Sequence, residues 1–118
     1  MTAEQALKSF LNKALIRKKE RYIGFILKPK TQGKFLNLIY HELENDLDES
    51  KKINQLNEKV LAKSGYKFMP PNIFGEQIMA IKEAYTSSDE SFLIVSSDGK
   101  HAIYGPETYI DSRAFYNV

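Results

Sequence analysis

The chain predicts an α+β protein: three to four amphipathic helices packed against a small C-terminal antiparallel β-hairpin or three-stranded unit. Three observations carry this. Apolar residues recur at helical spacing through most of the first 85 positions, a Pro70-Pro71 pair breaks that period, and Asp98-Gly99 separates two short apolar runs near the end.

The first helix opens at Thr2-Ala3-Glu4-Gln5, where a hydroxyl and a glutamine three residues apart have capping-box spacing. Ala6, Leu7, Phe10, Leu11, Ala14 and Leu15 then form an apolar stripe, which predicts helix to about Lys19. Tyr22, Ile23, Ile26 and Leu27 extend the stripe toward Lys28 if the helix continues through Gly24. The same six residues, 22–27, also fit a short buried strand, and periodicity leaves both open. Pro29 disfavours helical geometry at Lys28, so a break is expected there.

Thr31 is placed to cap a second helix with Phe35, Leu38, Ile39, Leu43 and Leu47 on its inner face. The short connection predicts an antiparallel hairpin over residues 1–47. A third helix is expected from Asp48 or Ser50, burying Ile53, Leu56, Val60 and Leu61 and stopping at Ser64-Gly65. After an extended stretch from Tyr66 to Pro71, Asn72 is placed to cap a fourth, with Phe74, Ile78, Ile81 and Tyr85 on one side and a polar loop from Thr86 to Asp89 after it.

In the last unit, residues 90–118, an Asp-Gly turn would pair Val95 with Ala102, Ile94 with Ile103 and Leu93 with Tyr104. Both faces of that hairpin are apolar. Helices on one side therefore leave the other needing cover, from Thr108-Tyr109-Ile110 or from a second copy in a homodimer. With residues 48–85 as further helices, the expectation is one compact domain over 1–118.

Composition narrows the function classes. Hydrophobic residues make up 42% of the chain and charged residues 27%, a globular balance and not that of a disordered segment. There is no cysteine, which excludes disulfides, thiolate nucleophiles and Cys-ligated metals. The early apolar residues stand at helical spacing among charges and not as a signal-peptide core, and no apolar run approaches the ~18 residues of a membrane span. A soluble, cytoplasmic protein without membrane contact is expected.

No phosphate-loop, dinucleotide, zinc-protease or serine-hydrolase motif occurs, no cofactor is implied, and the reading leans away from an enzyme. His41, Glu44 and Asp48 fall at i, i+3 and i+7 and would share a helical face, which makes them the one metal-ligand candidate and a third reading, a metal-dependent hydrolase. A solvated polar face is the plainer explanation. His101 sits beside the tight turn, and Ser96, Ser97 and Ser112 have no triad spacing.

Charge is the most informative feature. The net charge is +2, but residues 1–34, 35–60 and 61–118 carry balances of +7, −3 and −2. An antiparallel hairpin would gather Arg17, Lys18, Lys19 and Arg21 with Lys28, Lys30 and Lys34 at one pole and send Glu42, Glu44, Asp46, Asp48 and Glu49 to the other. A helix start there adds free N–H groups. These seven cations are the candidate anion or partner site of a non-enzymatic interaction domain that contacts an acidic protein surface. The alternative is RNA or single-stranded DNA, with Tyr22, Phe25 and Phe35 interleaved as stacking rings, although their spacing also suits a core.

Overall fold

In a computed structural model, residues 1–69, 72–87, 91–105 and 113–118 are described. The predicted capping box forms: Gln5 N–H donates to Thr2 Oγ1 at 3.2 Å, Thr2 N–H donates to Gln5 Oε1 at 2.9 Å, and helix α1 runs Ala3–Ala14. Its buried residues are the predicted Ala6, Leu7, Phe10, Leu11 and Ala14.

The first helix then stops, five residues short of Lys19. Leu15 turns extended and bridges Leu47, Ile16 N–H donates to the Asp46 carbonyl at 3.0 Å, and Asp48 N–H donates to the Ala14 carbonyl at 2.7 Å. Contacts from some thirty residues away override local periodicity, as tertiary context commonly does. A separate helix, α2 (Lys19–Leu27), follows, so the stretch 22–27 is helix and not strand.

A 3-10 turn at Pro29–Thr31 leads to α3 (Gln32–His41) and the single turn α4 (Leu43–Asp46). Thr31 does not cap α3; its hydroxyl donates back to the carbonyls of Phe25 and Lys28. The antiparallel pair is therefore α2 against α3, not one long helix against another.

Residues 48–64 are mostly not helical. The Asp48 carboxylate accepts from Ser50 N–H and sets a 3-10 turn at Glu49–Lys51, strand β1 (Lys52–Ile53) follows, and only α5 (Glu58–Leu61) is helix, capped by Asn57. Asp and Asn offer the backbone these local alternatives, which is why they break helical runs. Strand β2 (Gly65–Met69) occupies the stretch read as extended.

The predicted fourth helix is corrected at its first half: Asn72–Ile78 is strand β3, with Gly75 at φ +80°, a conformation no helix accommodates. β3 supplies the second neighbour of β2, whose other edge is filled by β4 (Phe92–Ser96). Ile81 instead opens α6 (Ile81–Ser87), while Ser88 and Asp89 lie outside the described residues.

With β5 (His101–Gly105) and β6 (Ala114–Asn117) these strands form a six-stranded antiparallel sheet in the order β1-β6-β5-β4-β2-β3. It exceeds the hairpin or three-stranded unit expected, and half of its strands come from residues 52–78. The hairpin register is as predicted: Leu93–Tyr104, Ile94–Ile103 and Val95–Ala102. Thr108-Tyr109-Ile110 lies outside the described residues.

Alternation along the strands makes two cores. Leu93, Val95, Ala102, Tyr104 and Tyr116 pack under α1, α2 and α3, whereas Phe92, Ile94 and Ile103 pack with Val60, Leu61 and Ile81 of α5 and α6. Chain-internal helices thus cover the second apolar face, removing the observation that suggested a homodimer through it. Among the described residues no helix is long and apolar enough to cross a membrane.

Candidate functional site: the basic stripe of helix α2

Tyr22 and Ile26 anchor α2 in the core, Ile23 and Phe25 pack against it partly buried, and Glu20, Arg21 and Leu27 are exposed. Both ends are fixed by side chains. At the start, the Asp46 carboxylate, only 4% exposed, accepts from Arg17 N–H at 3.1 and 3.2 Å and from Lys18 N–H at 2.9 Å. An anion there complements the helix dipole. At the finish, Thr31 Oγ1 donates to the Phe25 carbonyl at 2.8 Å, and the buried Gln32 Nε2 donates to the Ile26 carbonyl at 2.8 Å. These bonds satisfy carbonyls that a helix end otherwise leaves open.

The seven expected cations lie along this fixed rod and not at one pole. Arg17, Lys18 and Lys19 stand at its start, Lys28 and Lys30 at its end, roughly 13 Å away at the rise of nine helical residues. Asp46, assigned to the opposite pole, is instead under the starting group. Arg21 and Lys34 meet between the ends: the Arg21 guanidinium is 5.7 Å and the Lys34 ammonium 5.9 Å from the centre of the Phe25 ring. The Lys18 ammonium lies 6.0 Å from the Tyr22 ring, which stacks on Phe25 with centroids 6.3 Å apart. Cations so placed over aromatic faces gain about 0.5–1 kcal/mol at exposed sites and lose some freedom to wander.

None of the seven takes part in an ion pair among the described residues. Six of them are exposed and Lys19 is half-buried. Most of their charge therefore faces solvent, with the buried Asp46 carboxylate beneath the backbone of Arg17 and Lys18 as the nearest anion to the starting group. Phe35 and Tyr22 are buried, as core spacing implies, and Phe25 is half-buried beneath its two cations.

The metal candidate loses its shared face. The chain turns extended at Leu47, so Asp48 lies off the helix that carries His41, and its carboxylate is held by Ser50, whose hydroxyl first and N–H second lower its pKa. The His41 side chain lies outside the described residues, and Glu44 is exposed. Among the described residues no group of three or more potential ligands gathers.

A second polar cluster occupies the β4–β5 turn. Ser96 Oγ donates to Asp98 Oδ1 at 2.6 Å and accepts from His101 N–H at 3.0 Å, Lys100 N–H donates to Asp98 at 3.0 Å, and Lys63 reaches it at 3.4 Å. Burial pushes the Asp98 pKa up, but these donors outweigh it and bring it down to about 2. Burial depresses the His101 pKa. Ser96 is fully buried, which makes it a brace for the turn and not an accessible nucleophile. Ser112 lies outside the described residues.

The role of Asp46 as a clamp and of Phe25 as a shared seat for two cations was not anticipated. The second had a visible signal: Lys18, Arg21, Phe25 and Lys28 follow a 3-4-3 spacing that puts them on one helical face. The fold defines an α+β protein with an antiparallel sheet covered by helices on both faces. No family model, no curated protein and no solved structure matches this chain.

Proposed function

We propose that this chain is a binding protein whose α2 stripe contacts an acidic surface of another protein. The observation that supports it is a set of seven Lys and Arg residues on α2, its flanking turns and the start of α3, around a helix clamped at both ends, with no carboxylate paired to any of them among the described residues. An isolated surface ion pair contributes only about 0–1 kcal/mol. A pre-positioned row of them contributes more, because less side-chain entropy is lost on contact, and it raises the association rate by steering. A cysteine-free chain suits a reducing, cytoplasmic setting.

Nucleic acid is disfavoured by the rings. Base stacking needs an open aromatic face, whereas Tyr22 is buried and Phe25 already carries Arg21 and Lys34. The isoelectric point of 8.7 also falls short of the value above about 9 typical of basic nucleic-acid modules.

The test is fluorescence anisotropy with a labelled Glu-rich peptide and a labelled oligouridylate of equal charge. The variants are Arg21→Glu, Lys30→Glu and Lys34→Glu together, chosen away from Asp46. The expected result is peptide binding that weakens at least tenfold in the triple variant. Retention of the oligouridylate alone, with a log–log salt slope of about 0.7 per phosphate contact, would replace this reading with the nucleic-acid one.

A further inference from the structure

Resting on that acidic-contact reading, we infer that the partner presents an acidic helix, laid along α2 with carboxylates at three- and four-residue spacing. The stripe itself imposes this. Lys18, Arg21, Phe25 and Lys28 run from the N-cap of α2 to its C-cap over roughly 15 Å, with intervals of three, four and three residues. Intervals of three and four residues are those at which one helix presents a face to another, side chain into the gap between side chains.

An extended partner fits the row poorly. Its same-face side chains recur about every 6.6–6.8 Å, whereas Lys18 and Arg21 are separated by about 4.5 Å of axial rise. The helix's own acid, Glu20, is turned about 100° from Arg21, and no ion pair joins it to the stripe among the described residues. The exposed Leu27 is turned about 180° from Lys18 and lies outside the contact. Phe25, half-buried with Arg21 of α2 and Lys34 of α3 over its ring, is the single apolar position and offers a partner only what these two cations leave uncovered, so an apolar residue of the partner belongs against that remainder with carboxylates at the two cations. Because Lys34 comes from α3, the partner helix would be met by charge from α2 and α3 together.

Two labelled sixteen-residue peptides of identical composition decide the matter. In the first, glutamates follow the 3-4-3 spacing with a leucine at the place facing Phe25; in the second, the same residues are permuted so that glutamates alternate at every second position. The first is expected to bind at least tenfold tighter than the second and to gain helical circular dichroism on binding. Arg21→Gln and Phe25→Leu are each expected to remove at least a fivefold share of that preference, with the melting temperature of each variant measured to confirm folding. Equal binding of the two peptides overturns the acidic-helix inference while leaving the acidic-contact reading standing. Binding of neither overturns both, and tighter binding of an oligouridylate of equal charge overturns both in favour of nucleic acid.

Discussion

Asp46 joins the ends of the helical layer: one buried carboxylate accepts from two backbone N–H groups at the start of α2. Replacing it by alanine leaves both donors without that acceptor, and Asp46→Ala is expected to cost about 2 kcal/mol, measured as a lower urea midpoint at unchanged slope. Gly99 is constrained twice. Its φ is +74°, and an added Cβ would lie 2.9 Å from Ser9 Cβ of α1, so Gly99→Ala is expected to destabilise by about 1–3 kcal/mol in thermal melts. Asp98 makes stability depend on acidity. Its folded pKa is about 2, below the ordinary 3.8, so its contribution is present above pH 4 and is lost as pH falls toward 2. Melting temperatures between pH 4 and 2 should therefore fall less steeply for Asp98→Asn than for the parent. His101 has the same sign: depressed by burial below 6.5, it favours the fold above that pH and weakens it as pH falls.

At the scale of elements, the central strand is the place where burial is complete. Ile94 is fully buried between β2 and β5, under α5 and α6, so Ile94→Ala is expected to cost about 2–5 kcal/mol and to loosen the short helices before α1 to α3, read by hydrogen exchange. What the amino-acid order revealed and concealed divides along this same line. α1 and the β4–β5 hairpin were legible to the register because their determinants are local: a capping box, an apolar stripe, an Asp-Gly turn. The break after Ala14 was not, since it depends on Asp46 and Leu47 meeting residues 14–18 across the fold. Nor was β3, whose strand character comes from pairing with β2; only Gly75 hinted at it. The seven cations of the site were readable as a cluster in sequence. Their distribution along α2 followed from the same unseen break, which turned an expected tip into a row.

For the whole molecule, the sheet serves as a two-sided scaffold. Its helix-covered faces hold α2 against α1 and α3, and the core takes Tyr22 and Ile26 of α2 with the partly buried Ile23 and Phe25 packed against it, leaving the remaining face of the helix to carry charge. Stability and the proposed binding should therefore respond to different substitutions. Reversing Arg21, Lys30 and Lys34 should shift the melting temperature by no more than a few degrees while removing affinity for acidic peptides. The most direct measurement of the central claim is a nitrogen–proton correlation spectrum recorded during titration with a Glu-rich peptide. Shifts are expected to concentrate at Lys18, Arg21, Phe25 and Lys34 and to fade above about 0.5 M salt as screening sets in. Shifts centred instead on Lys63, Asp98 and Lys100, or no shifts at low salt, would contradict that claim.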